Sequence, residues 1–128
     1  MDNSNHKVLI ADDEAYIRLL IEQTLEDFED QGVEILTANN GEDALQIIQT
    51  ELPNLVFLDV MMPKMNGYEV CQAVKQDPTL EKVYIVILTA KGQELDRQRG
   101  EQVGADLFMT KPFDPDELVD LAGKVLAI

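Results

Sequence analysis

Short apolar runs alternate with segments of helical periodicity along the whole chain, and this alternation limits the possible folds more than any other feature. Each run has the length of a buried strand. The predicted strands are residues 8–11, 33–38, 55–58, 83–88 and 106–110. Strands that alternate with helices form a parallel sheet with helices on both faces. The sequence therefore predicts a single α/β domain of the (βα)5 type.

Apolar residues at helical spacing predict a helix after each strand. The helices are expected at residues 14–29, 41–52, 66–76, 93–103 and 115–128. Gly32 and Gly104 stand where two of these units end, which is typical of a residue just beyond a helix. At the last helix, Asp114 as N-cap, Pro115 at N1 and Glu117 at N3 predict a capping box.

Length and charge exclude several classes of function. The chain has 128 residues and one cysteine, Cys71, so it fits one domain whose core needs neither a disulfide nor a structural metal. Its 25 acidic and 10 basic side chains give a formal net charge of −15. This charge repels phosphate backbones and anionic lipid surfaces, so we expect no direct binding to nucleic acid and none to membranes.

The beginning of the chain is polar, and residues 1–6 are expected to form a disordered tail before a domain that spans residues 7–128. His6 belongs to this tail and is expected to be solvated. The sequence contains neither a secretion signal nor an apolar stretch of membrane-spanning length. A single cysteine suits a reducing compartment, and these features together predict a cytoplasmic location.

Polar residues of defined chemistry stand where four of the predicted strands end. Asp12 and Asp13 follow the first strand, and Asp59 ends the third. Thr89 follows the fourth strand and Lys111 follows the fifth. Ligands of parallel sheets bind beyond the carboxyl ends of the strands, so we expect these five side chains to form one site.

Three crowded carboxylates repel one another, and a divalent cation would relieve that repulsion. A ligand set made only of oxygens favours Mg²⁺ or Mn²⁺ over Zn²⁺. Mg²⁺ commonly binds through one or two carboxylates together with a phosphate. Lys111 offers a positive charge and Thr89 a hydroxyl donor for phosphoryl oxygens. The site is therefore expected to hold a hard metal and a phosphoryl ligand.

Four sequence segments carry a resemblance to a known family. They are Leu9-Ile10-Ala11-Asp12-Asp13-Glu14, Leu58-Asp59-Val60-Met61-Met62-Pro63-Lys64-Met65-Asn66-Gly67, Leu88-Thr89-Ala90, and Gly104-Ala105-Asp106 with Thr110-Lys111-Pro112-Phe113. From about residue 7 to 128 the chain resembles the receiver domain of response regulators in two-component phosphorelay signalling, with a likeness to chemotaxis regulators. The resemblance implies a flavodoxin-like fold with strand order 2-1-3-4-5 and a cis peptide before Pro112.

The resemblance also implies roles at the metal site. Asp59 is similar to the aspartate that is phosphorylated and that binds the metal. Asp13 is similar to a direct Mg²⁺ ligand, and Asp12 to a second acid that often acts through water. The backbone carbonyl of Met61 would be the third protein ligand.

Further roles concern the phosphoryl group and the response to it. Lys111 resembles the lysine that pairs with phosphate, and Thr89 resembles the residue that binds the phosphoryl oxygen. Thr89 and the aromatic Phe108 would move together as a switch. The output face would consist of the fourth predicted helix (93–103), the fifth strand (106–110) and the last helix (115–128).

A receiver domain implies partners and a limited chemistry. The phosphodonor would be a sensor histidine kinase, a histidine phosphotransfer protein or a small phosphodonor, and a downstream protein would read the output face. The chain would catalyse its own phosphorylation and dephosphorylation without being an enzyme in the usual sense. We expect a monomer, with a weak or phosphorylation-dependent dimer as the alternative. Whether the receiver stands alone or belongs to a larger regulator stays open.

Two positions near the site bear on the lifetime of the phosphoryl group. Met61 lies two residues after Asp59, and Lys91 lies two residues after Thr89. A methionine side chain cannot orient an attacking water by a hydrogen bond, so we expect no fast self-dephosphorylation.

The alternative function is that of a Mg²⁺-dependent phosphatase with an aspartate nucleophile. Such an enzyme expects a second aspartate two residues after the nucleophile, where it protonates the leaving group. Two residues after Asp59 the chain has Met61, and two residues after Asp12 it has Glu14, so the second aspartate is missing or altered. A nucleotide-binding function is disfavoured because the sequence has no glycine-rich phosphate loop of the usual spacings.

Overall fold

One parallel sheet of five strands forms the centre of the protein. The computed structural model describes residues 6–90 and 102–128, and its strand order is β2-β1-β3-β4-β5. The strands are β1 Lys7–Ala11, β2 Glu34–Ala38, β3 Leu55–Asp59, β4 Tyr84–Ala90 and β5 Leu107–Lys111. All four strand pairings are parallel. This arrangement confirms the predicted flavodoxin-like fold.

Helices cover both faces of the sheet, as short crossovers between parallel strands require. They are α1 Ala15–Thr24, α2 Glu26–Asp30, α3 Gly41–Glu51, α4 Gly67–Lys75 and α5 Pro115–Leu126, with a 3-10 turn at Pro78–Leu80. The predicted helix at 93–103 lies almost wholly outside the described residues, as does Lys91.

The core consists of two apolar clusters, one on each face of the sheet. All five residues of β3 are buried, and their side chains alternate between the clusters. Val56 and Leu58 pack with α3 and α4, whereas Leu55 and Phe57 pack with α1 and α5. β3 is paired on both sides. Asp59 is thus placed at the end of the most enclosed strand.

The first helical segment differs from the prediction of one helix at 14–29. The helix is interrupted at Leu25, whose backbone N–H donates to the carbonyls of both Ile21 and Glu22. Leu25 is fully buried and Phe28 nearly so, in the same cluster. Because residues three apart share one face of a helix, the apolar periodicity is the same with or without the interruption and does not reveal it.

Two strands extend further than their apolar runs. β4 continues through Thr89 to Ala90, and β5 continues to Lys111. The reason is their mutual pairing, which places Thr89 opposite Thr110 and Ala90 opposite Lys111. The predicted positions of Thr89 and Lys111 just beyond the strands were therefore wrong by one or two residues.

Helix caps also depart from the sequence prediction. Asp114 accepts from the backbone N–H of Asp116, at N2, so its cap is not the predicted reciprocal box with Glu117. A full capping box occurs instead at α4, where Asn66 and Glu69 exchange side-chain-to-backbone hydrogen bonds. These caps fix the helix ends nearest to the strand edge that carries the site.

The remaining features concern the chain ends and backbone. Gly32 and Gly104 have positive φ of 102° and 87°, as predicted for residues that end helices, and the Lys111–Pro112 peptide is cis.

His6 is half-buried and its carbonyl accepts a hydrogen bond from the backbone N–H of Glu34, so it is less solvated than expected. Within residues 6–90 and 102–128, no helix has the length and apolarity needed to cross a membrane. The cytoplasmic location stays a prediction.

Candidate functional site

The site lies at the carboxyl edge of the sheet, where β1, β3 and β5 end. Asp12 follows β1 directly, Asp59 is the last residue of β3, and Lys111 is the last residue of β5. A cleft of about 370 Å³ opens at this edge. Its lining residues are Asp13, Glu14, Asp59, Val60, Met61, Leu88 and Lys111. The structure therefore brings together the acids and the lysine that the sequence places at strand ends.

Lys111 binds two of the acids at once. Its Nζ donates to Asp12 Oδ2 at 2.8 Å and to Asp59 Oδ1 at 3.1 Å. Glu14 Oε1 lies 3.9 Å away from the same nitrogen. The Lys111 side chain is 18% exposed, and those of Asp12 and Asp59 are 0% and 8% exposed. A single, partly buried ammonium thus balances two buried carboxylates.

Every polar group of Asp12 has a partner. Its backbone N–H donates to the Ala38 carbonyl at 3.1 Å, and its own carbonyl accepts from Arg18 Nη1 at 2.7 Å. Oδ1 accepts from the Glu14 backbone N–H at 2.9 Å, and Oδ2 accepts from Lys111. Asp12 is therefore fixed in orientation, and it acts on the site through its charge and through Lys111.

Burial and charge alter the proton affinity of Asp59. The pKa of Asp59 is raised to about 6, mainly because burial removes the carboxylate from water and secondly because of the neighbouring charge of Asp12. Lys111 opposes both effects by its positive charge and its hydrogen bond. The pKa of Lys111 is raised: burial alone would lower it, but its contacts with Asp12 and Asp59 outweigh that effect. Near neutral pH, Asp59 is mostly ionised and Lys111 is protonated.

Asp13 and Glu14 complete an acidic group with Asp12. One carboxylate oxygen from each residue lies within 4.8 Å of the others, close enough for a shared metal ion. Asp13 and Glu14 are exposed, while Asp12 is buried. Carboxylate oxygens that face a wet cleft suit a hard cation such as Mg²⁺, so the residues present fit the expected metal. Lys111 connects Asp59 with this group by its hydrogen bonds to Asp59 and Asp12. Asp59 also lines the same cleft as Asp13 and Glu14.

Thr89 and Phe108 lie on one face of the sheet. Thr89 pairs with Thr110, and Phe108 pairs with Ile87, so the two residues are diagonal neighbours on adjacent strands. Thr89 is buried, and it follows Leu88, which lines the cleft. Phe108 is partly buried against the core cluster of that face. Thr89 thus lies one strand away from Asp59 and Phe108 two strands away, and neither residue is part of the lining of the cleft.

Two residues of the site were missed by sequence reasoning. Glu14 was assigned no metal role, although three consecutive acids at a strand end were a signal for one. Arg18 was not considered at all, because its contact with the Asp12 carbonyl depends on how α1 packs against the end of β1. Both residues adjoin Asp12, and they shape the β1 side of the site.

Comparison with known proteins agrees with this geometry. The family described as "Response regulator receiver domain" matches residues 8–122. The chain is 48% identical over 118 residues to "Probable transcriptional regulator ycf27" of Porphyra purpurea, covering 92% of this chain and 46% of that protein. It is 40% identical over 120 residues to "Response regulator Rre1" of Synechocystis, covering 94% of this chain and 51% of that protein. The chain spans about half the length of these two relatives.

A solved structure shows the same fold. The chemotaxis response regulator CheY4 of Vibrio cholerae matches with a TM-score of 0.82 at 34% identity, over 94% of this chain and 98% of that chain. Its strands and helices are therefore similar to those described above over nearly their full extent. Sequence, fold and strand-edge site agree, and the chain belongs to the family of response regulator receiver domains, which act in two-component signalling.

Proposed function

We propose that the chain is a Mg²⁺-dependent phosphoaspartate switch in which Asp59 accepts the phosphoryl group. The observation that carries this proposal is the position of Asp59, which shares Lys111 with Asp12 in one cleft beside an acidic group. In the reaction, an oxygen of the Asp59 carboxylate forms a bond to phosphorus while the bond from phosphorus to the donor breaks. The product is an acyl phosphate, and water later cleaves it to release inorganic phosphate.

The chain's own residues position the reactants. Lys111 holds the Asp59 carboxylate through Oδ1, and its positive charge offsets the charge that builds on the phosphoryl oxygens. Asp12 orients that ammonium from the side of β1. Thr89 supplies a hydroxyl close to the strand end for a phosphoryl oxygen. Catalysis of this kind depends mainly on positioning and charge.

We propose Asp13, Asp59 and the backbone carbonyl of Met61 as direct ligands of Mg²⁺, with Mn²⁺ as a substitute. Asp12 would act through its charge and through water, because both of its carboxylate oxygens already accept hydrogen bonds. Glu14 lies near enough to add a further oxygen or to hold a metal-bound water. The bound metal would neutralise charge on the phosphoryl group during transfer. Met61 is 71% exposed and offers no side-chain hydrogen bond to water, so we expect an acyl phosphate that lasts longer than seconds.

The phosphoryl group would alter the position of Thr89 and, with it, Phe108. A cleft of about 500 Å³ runs along β5 and the start of α5, and Phe108 is part of its lining. The face made by β5, α5 and the predicted helix at 93–103 is therefore the proposed output surface. A ligand that changes the balance between two states of this face need only bind one of them more tightly.

Residues 7–128 are proposed to be the receiver unit, with a sensor histidine kinase or a phosphotransfer protein as donor. One relative is named as a transcriptional regulator and is about twice as long as this chain. By itself the acidic receiver is not proposed to bind DNA, since its net charge of −15 repels phosphates. We propose a monomer in which the downstream target is a protein.

The test is to incubate the protein with acetyl phosphate and Mg²⁺ and to measure its intact mass over time. The wild-type protein is expected to gain one phosphoryl group, and Asp59→Asn is expected to gain none. Omission of Mg²⁺ should abolish the gain. Phosphorylation of Asp59→Asn would place the acceptor elsewhere, and steady release of phosphate from phosphate esters would favour the phosphatase alternative.

A further inference from the structure

The loop that follows Asp59, residues 60–66, is held at its start and in its middle by two glycines that begin helices. Gly67 is the first residue of α4, and its N–H donates to the Val60 carbonyl at 2.9 Å. Gly41 is the first residue of α3, and its N–H donates to the Pro63 carbonyl at 3.3 Å. Two different helices thus fix a loop whose first residues line the metal cleft.

Neither glycine is required by backbone conformation, since positive φ occurs at Gly32 and Gly104 instead. Both are required by space. A Cβ at Gly41 would overlap the Met65 carbonyl, and a Cβ at Gly67 would overlap the Asp59 carbonyl. In both cases the obstacle is backbone, which cannot swing aside as the end of a flexible side chain can.

The loop also contains a strained turn that depends on this support. The Met65 N–H donates to the Pro63 carbonyl at 2.8 Å around Lys64, whose φ is 70°. A hydrogen bond from one residue to the next but one, around a positive φ, marks the rare and strained form of the γ-turn. Such a conformation persists when the surroundings determine it. Gly41 donates to the same Pro63 carbonyl, so it supports the turn directly.

The loop is the part that would move if Gly41 acquired a side chain. α3 is anchored by Ala44 and Ile48, which are both fully buried, and by the Asn40 cap. Met65 is only partly buried. Gly67 holds the start of the loop through its bond to the Val60 carbonyl. A shift at Met65 would therefore displace the residues between Val60 and Met65, which include Met61.

We infer that Gly41 is a positioning residue for the metal site: its close contact with Met65 and Pro63 holds the loop that presents Met61 to the cleft. This inference rests on the proposed Mg²⁺-dependent function. Residues that orient metal ligands from behind commonly change metal affinity by about 10- to 100-fold when they are altered. Gly41 is expected to act in this way although it does not contact the cleft.

The first test is isothermal titration calorimetry with Mg²⁺ alone on wild type, Gly41→Ala and Gly123→Ala. Gly123 lies in α5, where a Cβ would have ordinary contacts with the Ile128 carbonyl at 3.4 Å and with Phe28 Cζ at 3.7 Å. Gly41→Ala is expected to raise the Kd for Mg²⁺ by about 10- to 100-fold, while Gly123→Ala keeps the wild-type Kd. A folded Gly41→Ala with wild-type Mg²⁺ affinity would overturn the inference.

A second test uses the wild-type protein and decides the matter if Gly41→Ala fails to fold. If opening of the Gly41 contact destroys the metal site, bound Mg²⁺ must slow hydrogen exchange of the Gly41 amide. At a Mg²⁺ concentration of 100 times Kd, the expected slowing is about 100-fold. The Ile128 amide, which bonds to the Gly123 carbonyl at the end of α5, serves as the control and should not slow. Unchanged exchange at Gly41 would reject the inference.

The outcomes separate this inference from the proposed function. A wild-type protein that binds no Mg²⁺ and accepts no phosphoryl group would remove the proposed function itself. A wild-type protein that does both, with Mg²⁺ affinity and exchange that are indifferent to Gly41, would remove only the positioning role.

Discussion

The side chain of Lys111 crosses the end of β4 to reach Asp59, which lies two strands away. β5 pairs with β4 and β4 pairs with β3, yet Lys111 Nζ is 3.1 Å from Asp59 Oδ1. The contact is possible because both residues are the last of their strands. One hydrogen bond therefore connects the central strand with the outer strand of the proposed output face.

Replacement of Lys111 by Met should slow phosphorylation of Asp59. The change keeps much of the side-chain volume but leaves Asp12 and Asp59 without their shared cation. We expect the rate with acetyl phosphate and saturating Mg²⁺ to fall at least about tenfold, measured by intact mass. Lys124→Met, at an exposed position of α5, is the matched control and should retain the wild-type rate. Equal rates for wild type and Lys111→Met would contradict the proposed role.

Asp59→Asn should stabilise the metal-free protein at neutral pH. The pKa of Asp59 is about 6 in the folded protein and 3.8 ordinarily, so the folded state binds the proton more tightly. The free energy of unfolding of the wild type therefore falls as pH rises from about 4 to 6, and it stays lower above that range. Asparagine cannot ionise, and it avoids this loss.

The expected gain at pH 7.5 is about 1 to 3 kcal/mol, measured by urea denaturation with EDTA present. The gain should shrink as pH falls towards 4, because the wild-type carboxyl group is then protonated. A stability difference that does not vary with pH across this range would show that another effect of the substitution dominates.

Cys71 should be unreactive in the folded protein. It is fully buried on α4, and burial raises the pKa of its thiol to about 12. Thiolate is the reactive form, so alkylation by iodoacetamide at pH 8 should proceed only through opening of the structure. We expect labelling to become fast in denaturing urea. Rapid labelling of the native protein, followed by mass spectrometry, would argue against this burial.

Asn66→Ala should weaken the start of α4. The Asn66 side chain accepts from the Glu69 backbone N–H at 2.9 Å, and the Glu69 side chain accepts from the Asn66 backbone N–H at 3.1 Å. Loss of such a cap costs about 1 kcal/mol of unfolding free energy. Glu69→Gln should cost less, because an amide oxygen can still accept from the Asn66 N–H. Chemical denaturation of the two variants provides the comparison.

The sheet was predictable from sequence because five apolar runs are separated by helical periodicity, whereas the strand order came only from the family resemblance. The interruption at Leu25 was not predictable, since the apolar spacing of Ile21, Leu25 and Phe28 suits one continuous helix equally well. Extension of β4 through Thr89 depends on pairing with β5, which is a tertiary effect. Local patterns cannot contain that information.

The acids and the lysine of the site were predictable because strand ends of a parallel sheet share one edge. Their mutual contacts were not, since the geometry of Lys111 between Asp12 and Asp59 depends on side-chain conformation. The cap at Asn66 could have been predicted, because Glu69 stands three residues later and the pattern is that of a capping box. The close contact of Gly41 with Met65 joins two distant segments, and no local pattern indicates it.

The two neighbours of β4 differ in how firmly the sheet holds them. β3 is hydrogen-bonded on both sides and all its residues are buried, whereas β5, within the described part of the chain, pairs on one side only. In mechanical terms the proposed phosphoacceptor, Asp59, lies on the stiffer of these two strands, and Lys111 lies on the more compliant one. A force between Asp59 and Lys111 would therefore displace β5 more than it displaces β3.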